Sequence, residues 1–584
     1  MTVPATPPVA DAGGEHGGVE RRTAAEARGR RSAWPALAGC LLGVFMQMLD
    51  TTIVNIALPD VATDLAASTA QQVLVLSVYT LAFACTLLPA ATLGDRLGRR
   101  RLFLAAVIAF VITSTLCGIA SNPVELIVFR GAQGISAALM SAQTLALIAA
   151  LFPRHRHGLV FGIYGAVAGV AAMLGPVLGG LLTTSDILGW GWRTIFFVNI
   201  PIGVAAFVLA GRRLPALRST NVARVDLVGV VTSSAGLFLL LYPLAVGREQ
   251  GWPVSVWLML GGAAVLLVVF VISQRRTAAR GGAALVPPQL FAARPFAVGV
   301  VLSVMFFSVF AGFFFTVSVS MQFGLGFSAL RTGLLALPFA VGGAVGSVTS
   351  PLVVTRLGGA RTLALGAVVL AAGLAWLALA VQPDAAALSV AAVIAPLVVG
   401  GLGTGMFVAP LQTVILSGTT ETTVGPASGC VPTVQQIGAS IGLAVVTVFF
   451  FGQVAGHAGT AVPAARAELV SNLRESPVNP AVQSTVADRF ADCASRQLGS
   501  AHPDRPAPGC GGDSAGGNAM VETILAQAEP DLRAAGRSAV ARSFLGALQI
   551  TLGALAAMSL LIAAGSLLVP GSPLRRLRAG ASTD

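Results

Sequence analysis

The residues that decide the fold form one short charged turn, Leu93-Gly94-Asp95-Arg96-Leu97-Gly98-Arg99-Arg100-Arg101. Long apolar segments flank the turn on both sides, and Gly94 and Gly98 allow the chain to reverse sharply. A carboxylate such as Asp95 near a helix end can pair with arginine or with backbone donors of a neighbouring helix. The turn therefore predicts two helices latched at one end, and a latch that opens during a conformational change is a gate. The predicted gate residues are Asp95, Arg96, Gly98 and Arg99. The alternative is a topology signal with no gating role.

The composition is that of a membrane protein. Of the 584 residues, 55% are hydrophobic and only 10% are charged, whereas a soluble protein carries about 25% charged residues. The apolar residues fall in runs of about 20, and each run is long enough to cross a bilayer as a helix. A β-barrel would show alternation over about 10 residues instead of long runs. The chain is therefore predicted to be an all-α polytopic membrane protein.

Fourteen apolar segments are predicted to span the membrane, and an even number places both termini on one side. The predicted spans are residues 34–57, 71–93, 102–120, 124–149, 159–183, 194–211, 227–246, 254–273, 296–320, 332–354, 362–381, 387–413, 427–453 and 541–567. Every basic side chain is arginine, and the net charge of +12 is concentrated in alternate short loops and in the tails. By the positive-inside rule, those loops and both termini are cytoplasmic. We interpret this charge as a topology signal in the plasma membrane, so no nucleic-acid partner is expected.

The chain contains an internal repeat. Arg96-Leu97-Gly98 follows the second predicted span, and Arg356-Leu357-Gly358 follows the tenth. This spacing predicts two six-helix halves with two extra helices between them, and repeated halves around a central site are typical of transporters. The expected segments are a disordered cytoplasmic tail at 1–33, an N-terminal half at 34–211, the extra helices at 212–295, a C-terminal half at 296–567 with an extracytoplasmic loop at 454–540, and a cytoplasmic tail at 568–584.

One carboxylate, Asp50, lies well inside a predicted span. At 1.5 Å per residue it is about 12 Å from the outer end of span one, and Arg130 in span four is about 10 Å from the same surface. A charge at this depth is disfavoured by roughly 2.5–3.5 kcal/mol on insertion scales, and it usually has a partner in the bundle interior. We therefore expect Asp50 and Arg130 to influence each other's charge across a central cavity and to couple transport to protons. The alternative is that Arg130 pairs only with backbone carbonyls.

The fifth predicted span combines closely spaced glycines with a proline, at Gly175, Pro176 and Gly179. Glycines four residues apart let helices approach closely, and proline removes a backbone donor and bends its helix. A kinked, closely packed helix beside a cavity can seal one side of it, so we expect a gating role. The alternative is a packing face of the kind found in any membrane bundle.

Further residues within the spans are candidates for the lining of a substrate cavity, and ordinary packing is the alternative for each. They are Met46, Gln47, Thr51, Asn55, Tyr79, Gln133, Phe306, Gln412 and Gln436. Outside the spans, Cys493 and Cys510 share the extracytoplasmic loop, where the compartment is oxidising. They are candidates for a disulfide, and the alternative is two free thiols. No metal-binding spacing is present.

These motifs resemble those of the major facilitator superfamily. In the charged turn, the residues that fit the family's loop pattern are Leu93, Asp95, Arg96, Gly98, Arg99 and Arg100, with Ala91 at its leading glycine position. In spans four and five the matches are Arg130, Gln133, Gly134, Gly162, Gly175, Pro176 and Gly179. In span one they are Leu49, Asp50, Thr52, Ile53, Val54, Asn55, Ala57, Leu58 and Pro59. The entry to span six, which includes Asn199, is also similar.

With fourteen spans, the chain looks like the drug:proton antiporters of the EmrB/QacA type. The resemblance implies a proton-driven exporter of hydrophobic or amphipathic small molecules, such as drugs and antibiotics, that works by alternating access. The alternatives are an exporter of one metabolite or lipid, and a solute:proton symporter of the same fold. An ATP-driven pump would need a phosphate-binding loop with lysine, and the chain has no lysine. We expect no enzyme activity, no cofactor beyond the proton gradient, and function as a monomer.

Overall fold

The structure, a computed structural model, describes most of the chain. The described residues are 14–153, 156–185, 189–215, 226–248, 250–385, 387–417, 419, 423–475, 480–500, 510 and 519–569. Over these residues, fourteen helices are long and apolar enough to cross a membrane, which confirms the predicted number of spans.

The first part of the chain forms a six-span bundle, followed by the two extra helices. Its helices are α1 (Gly14–Asp64), α2 (Thr69–Leu97), α3 (Arg99–Gly118), α4 (Pro123–Leu151), α5 (His157–Thr184), and the short α6 (Thr194–Phe197) and α7 (Asn199–Arg213), which together make the sixth span. The extra helices are α8 (Leu227–Val246) and α9 (Val254–Ala279).

The second bundle begins after a short connecting helix. The helices in this part are α10 (Gln289–Ala292), α11 (Arg294–Val319), α12 (Ala329–Leu357), α13 (Gly359–Ala380), α14 (Val390–Ser417), α15 (Val424–Leu473), α16 (Pro480–Leu498) and α17 (Ala519–Ser566). All of them except α10 and α16 contribute a span.

The two halves repeat the same packing. α1 lies against α5, and α2 and α3 lie against α4; in the second half, α11 lies against α15, and α12 and α13 lie against α14. The repeated turns also match, because Gly98 and Gly358 have φ angles of 88° and 84° and each separates two consecutive helices. A left-handed φ is easy only for glycine. We call the end of the bundle that carries these two turns the arginine-rich end.

The halves meet along two seams, α5 against α12 and α2 against α15. Glycines make both seams close. A Cβ added at Gly162 would lie 2.6 Å from the carbonyl oxygen of Ser347, and one added at Gly429 would lie 3.0 Å from that of Leu87. Close backbone approach of this kind is how helices associate in a membrane, where burial of apolar surface gives no driving force between them.

The predicted extracytoplasmic loop at 454–540 is helical over most of its described residues. α15 continues to Leu473, α16 is separate, and α17 begins at Ala519. The polar parts of these helices are rich in Ala, Arg, Glu and Leu, which favour helix without producing an apolar run. They pack around a small core that includes Leu469, Ala487 and Ala528. We call residues 454–473, 480–498 and 519–540 the cap.

Two other expectations concern the cap and the N-terminus. Cys493 and Cys510 form a disulfide, with their Cα atoms 5.8 Å apart. α1 begins at Gly14, so residues 14–33, which were predicted to be a disordered tail, are helical. The segment contains several Ala, Glu and Arg residues, which favour helix without forming an apolar run. Residues 1–13 and 570–584 of the predicted tails lie outside the described residues.

Candidate functional site

A buried ion pair lies inside the N-terminal half. Asp50 of α1 and Arg130 of α4 are in direct contact, with 2.6 Å between Oδ2 and Nη1. The side chains are 0% and 1% exposed. Both charges therefore sit away from water, within spans, where an unpaired ion would be strongly disfavoured.

The second carboxylate oxygen of Asp50 is held by two amides. Gln133 Nε2 and Asn199 Nδ2 donate to Oδ1 at 2.8 Å and 3.0 Å. Asn199 Nδ2 also donates to Ser114 Oγ at 2.9 Å, and that hydroxyl donates to the carbonyl oxygen of Phe196. Three segments of the chain, α1, α4 and the sixth span, thus meet at one carboxylate, and α3 is linked to it through Ser114 and Asn199.

Arg130 has partners besides Asp50. Its Nη1 donates to Gln133 Oε1 at 2.8 Å, and its Nε donates to the carbonyl oxygen of Val75 at 3.4 Å. The guanidinium also lies over the ring of Tyr79, 4.2 Å from the ring centre. A buried ion pair withstands its desolvation only when its remaining donors and acceptors are also satisfied. Arg130 and Asp50 meet that condition through α2, α4 and α7.

Asp50 and Arg130 are expected to influence each other's charge across a cavity, and in the structure they are in direct contact instead. Asp50 and Arg130 touch inside one half, because α1 and α4 are neighbours in the bundle and the arginine side chain is long enough to bridge them. The alternative, that Arg130 pairs only with carbonyls, is wrong, although the Val75 carbonyl is one of its partners. The role of Ser114 is not evident from the sequence, and Asn199 stands out there only as part of a motif resemblance.

α5 connects this pair to the other half through its glycines. A Cβ at Gly175 would lie 1.9 Å from Thr52 Oγ1, and one at Gly179 would lie 3.0 Å from the carbonyl oxygen of Ile53. On another face of α5, Pro176 packs against α12, where a Cβ at Gly333 would lie 2.9 Å from the Pro176 Cβ. α5 therefore touches α1 next to Asp50 and touches the second half at the same level.

The charged turn closes the α2–α15 seam at the arginine-rich end. Arg99 donates to Asp95 Oδ1 from both Nε and Nη2, at 3.0 Å and 2.8 Å. A Cβ at Gly425, in the first turn of α15, would lie 2.3 Å from Asp95 Oδ2. The carboxylate therefore sits at the start of a helix, where negative charge is favoured. Gly98 makes the turn, whereas Arg96 is exposed.

Ala91 of α2, which stands at the family's glycine position, is buried within the same seam. Gly429 of α15 faces it, and a Cβ there would lie 2.7 Å from the Ala91 Cβ. The glycine on α15 makes room for the alanine on α2, so the helices still approach closely.

The predicted cavity residues fall into several environments. Met46 and Phe306 are fully buried in the packing of the two halves, so their interpretation as cavity lining does not match this structure. Gln133 and Tyr79 belong to the surroundings of the ion pair. Thr51 is half-buried and donates to the carbonyl oxygen of Gln47, and Asn55 is exposed.

The three other glutamines among the predicted cavity residues have different surroundings. Gln47 and Gln412 are each 3% exposed, and their Oε1 atoms have no hydrogen-bond partner among the described residues. Gln436 is half-buried and lines a small cleft between helices. A buried acceptor without a partner costs about 1–3 kcal/mol, so Gln47 and Gln412 call for an explanation.

The fold and the site define a class of protein: a membrane transporter built from two repeated six-helix halves, with a buried ion pair in one half. The chain belongs to the Major Facilitator Superfamily, because the model of that family matches residues 40–443. The resemblance found in the motifs is thereby confirmed.

Relatives with similar sequences agree with this assignment, and a solved structure has a similar fold. A probable actinorhodin transporter of Streptomyces coelicolor is 33% identical over 429 residues, which cover 74% of each chain. The multidrug export protein EmrB of Haemophilus influenzae is 31% identical over 76% of this chain and 83% of its own. The human organic anion transporter MFSD10 has a similar fold, with a TM-score of 0.52, 14% identity, and coverage of 71% of this chain and 92% of its own.

Proposed function

We propose that this protein is a proton-driven exporter of hydrophobic and amphipathic small molecules, drugs and antibiotics among them, that works by alternating access. The observation that carries the proposal is the buried pair of Asp50 and Arg130 within a bundle of two repeated halves. The relatives named for actinorhodin transport and for multidrug export support a small-molecule substrate, and the second supports the outward direction.

Protons would act on Asp50. A proton added to this carboxylate removes its charge and weakens its contact with Arg130. The arginine keeps its contacts with Gln133, the Val75 carbonyl and the Tyr79 ring. Protonation therefore loosens α1 from α4 without expelling the arginine from its place.

This loosening has a direct path to the second half. α1 carries Thr52 and Ile53, which lie against the glycines of α5, and α5 carries Pro176 against α12. A shift of α1 must change the α5 contact, and α5 is one side of the seam between the halves. Proton binding at Asp50 and rocking of the halves would thus be coupled through packed helices, as alternating access requires.

The charged turn would be the gate at the arginine-rich end. Asp95 and Arg99 hold each other within the first half, and Asp95 faces the first turn of α15 in the second half. When the halves separate at this end, the carboxylate leaves the start of α15, and that stabilising interaction is lost. We propose Asp95, Gly98 and Arg99 as gate residues, with Arg96 as an exposed member of the same turn.

The buried glutamines would belong to the substrate path. Gln47 and Gln412 each hold an acceptor without a partner among the described residues. In the open states of the transport cycle, water or substrate donors would reach these oxygens. The free-energy cost of leaving these two oxygens without hydrogen bonds in the closed packing would then favour opening of the transporter. We further propose that the transporter works as a monomer in the plasma membrane with both termini in the cytoplasm.

The test of this function is transport by inverted vesicles. On energisation, vesicles with the wild-type protein should take up ethidium, and collapse of the pH gradient should stop the uptake. Asp50→Asn should reduce the uptake to the level of empty vesicles, because it removes the proton site. The matched control is Asp60→Asn, which changes an exposed carboxylate on the same helix and should transport normally. Normal transport by Asp50→Asn, with equal expression, would rule out the coupling role.

Export of one metabolite is the second candidate, because one relative is named for transport of a single compound. A panel of antibiotics and dyes, tested on cells with the gene deleted and overexpressed, separates the two. Resistance to one compound indicates a specific exporter, and resistance to chemically unrelated compounds indicates a multidrug exporter. The vesicle assay separates both from a symporter by the direction of movement.

A further inference from the structure

The extra helix α9 is the span that the rest of the protein covers least. Only 11% of its most apolar stretch is buried, the smallest share among the fourteen spans of the described residues, and the helix packs against α8. Its exposed side includes Val265, Val268 and Ile272. These residues follow one another at intervals of three and four, so they lie on one face of the helix. We call them the apolar stripe. An exposed apolar surface of this kind in a membrane protein faces the lipid acyl chains.

The apolar stripe ends in arginines. Arg275 and Arg276 lie three and four residues after Ile272, and Arg280, just beyond the end of the helix, lies four residues after Arg276. All three are exposed, and we call them the arginine rim. Side chains at this spacing are neighbours on a helix surface, with Cβ atoms about 5–6 Å apart. α2 is the second span and α9 the eighth, so both run towards the arginine-rich end, and the rim lies there.

A buried glutamine fixes the surroundings of the arginine rim. Gln274, which is 3% exposed, donates from Nε2 to Asp226 Oδ2 at 2.6 Å, and its Oε1 accepts the backbone N–H of Val286 at 3.1 Å. Val286 is buried and lies twelve residues further along the chain, so the segment after α9 folds back against the helix. Because Gln274 points inward, the next two side chains, Arg275 and Arg276, are left on the outer side.

Within the part of the chain that the structure describes, no acidic side chain forms an ion pair with the arginine rim. The carboxylate at this end of the extra helices, Asp226, already has partners. Its Oδ1 accepts the backbone N–H of Gly229 at 2.8 Å, and its Oδ2 accepts the buried glutamine. The three positive charges of the rim are therefore open to an anion at the edge of the membrane, where anionic lipids attract basic side chains.

We propose that the arginine rim binds the phosphate headgroup of an anionic phospholipid, with an acyl chain of the same lipid along the apolar stripe. Arginine suits this partner, because its planar donors bind phosphate oxygens in pairs. Arginines that serve only as a topology signal have to lie on this side of the membrane, but they need not continue an exposed apolar stripe. A lipid matches both parts at once, whereas a free phosphate matches only the rim. The site is separate from the ion pair and does not depend on the proposed transport function.

The test is lipid binding by the purified full-length protein, measured by native mass spectrometry after titration with phosphatidylglycerol or with phosphatidylcholine. The wild type should bind phosphatidylglycerol, which is anionic, more tightly than phosphatidylcholine, which has no net charge. Arg276→Gln should weaken the binding of phosphatidylglycerol about fivefold, the contribution of one basic side chain near an anionic membrane. Arg275→Gln/Arg276→Gln should weaken it about twentyfold or more. Melting temperatures check that each variant is folded.

The matched control is Arg356→Gln/Arg361→Gln, which changes two exposed arginines at the same end of the second half and should bind phosphatidylglycerol as the wild type does. An excess of glycerol phosphate, which has the phosphate but no acyl chain, should leave the lipid bound. Three results would overturn the proposal: equal binding of the two lipids by the wild type, an equal loss in the control pair, or displacement of the lipid by glycerol phosphate. Ethidium uptake is a separate measurement, so failure of the proposed function would leave this site standing.

Discussion

The two halves of this transporter share one arrangement of helices and differ in the side chains at their centres. In the first half, Gly175 and Gly179 of α5 lie against α1; in the second, Gly438 and Gly442 of α15 lie against α11, four residues apart in both cases. Both halves also turn on a glycine with positive φ after their second helix. These repeated glycines set the helix spacing, so the common plan rests on backbone geometry.

The centres of the halves are chemically different. α1 and α4 hold the ion pair of Asp50 and Arg130, with amides around it. The core of the second half holds phenylalanines instead: Phe306 stacks on Phe407 at 4.6 Å, and Phe313 stacks on Phe339 at 4.9 Å. Under the proposed function, the first half would respond to protons at its centre, and the second half would be the apolar body against which it moves.

The largest effect should come from breaking the ion pair on one side only. Arg130→Met leaves Asp50 buried without its partner, and loss of one partner of a buried pair costs about 3–5 kcal/mol. The double variant Asp50→Asn/Arg130→Met removes both charges and should recover much of that loss. The free energy of unfolding in mixed micelles measures both. Arg361→Met, which changes an exposed arginine of the second half, serves as the control. Equal losses in the single and double variants would show that the charges are not coupled.

The second prediction concerns the shared scaffold. Gly175→Ala forces a Cβ to within 1.9 Å of Thr52 Oγ1, and Gly442→Ala forces one to within 2.2 Å of the Ser308 Cα. Overpacking of this kind costs about 1–3 kcal/mol, so both variants should be less stable. Gly169→Ala, on α5 with nothing within 4 Å of the added Cβ, is the control.

Transport separates the two glycines. Gly175 lies beside the turn of α1 that carries Asp50, so Gly175→Ala should lose ethidium uptake beyond its loss of stability, and Gly442→Ala should lose uptake only in proportion to folded protein. A similar loss per folded molecule in both variants would mean that the halves share the coupling.

The sequence allowed the spans to be counted, because each apolar run is long enough to cross a bilayer, but it did not reveal the cap. The cap helices are polar, and what fixes them is packing around residues such as Leu469 and Ala487, which are far apart in the chain. Helix propensity without an apolar run gives only a weak signal.

The charges of the site and Gln133 were predictable from the sequence, whereas the roles of Asn199 and Ser114 were not. An arginine and an aspartate at matching depth inside spans stand out because each needs a partner. Asn199 and Ser114 carry no charge, so nothing in their position indicates that Asn199 donates to Asp50 or that Ser114 accepts from Asn199. Met46 and Phe306 show the converse difficulty, because depth alone does not say whether a residue faces a cavity or the core.

The third prediction tests the aromatic centre of the second half. Phe306→Leu removes the stacking on Phe407, and a buried aromatic pair is worth about 0.5–1.5 kcal/mol beyond its burial. The loss should appear in the free energy of unfolding, while the pH dependence of ethidium uptake stays that of the wild type. Phe323→Leu, at a site 57% exposed, is the matched control. A shifted pH profile in Phe306→Leu would show that proton coupling extends into the second half.

The smallest expected effect on stability comes from contacts at the ends of the two halves that lie opposite the arginine-rich end. In the first half, Arg193 Nη1 contacts Asp64 Oδ2 at 2.6 Å, and Trp192 also donates to that carboxylate. In the second half, Arg331 instead lies over the ring of Phe327, 3.8 Å from the ring centre. The bond from Arg193, and then that from Trp192, lowers the pKa of Asp64. Because the pKa of Asp64 is lower in the folded protein than in the unfolded chain, its charged form stabilises the fold. That stabilisation is complete above the unfolded pKa of about 3.9, and it is lost as the pH falls through the folded pKa.

Because the Asp64 side chain is 48% exposed, its pair is worth at most about 1 kcal/mol. Melting temperatures measured from neutral pH into the acid range should therefore converge for the wild type and Asp64→Asn as Asp64 becomes protonated. Arg331→Gln should lower the melting temperature by a similar amount at every pH, because its ring partner does not titrate. If the melting temperatures of Asp64→Asn and the wild type instead ran parallel with pH, the negative charge of Asp64 would add nothing to stability. The two ends would then be held by the same uncharged packing.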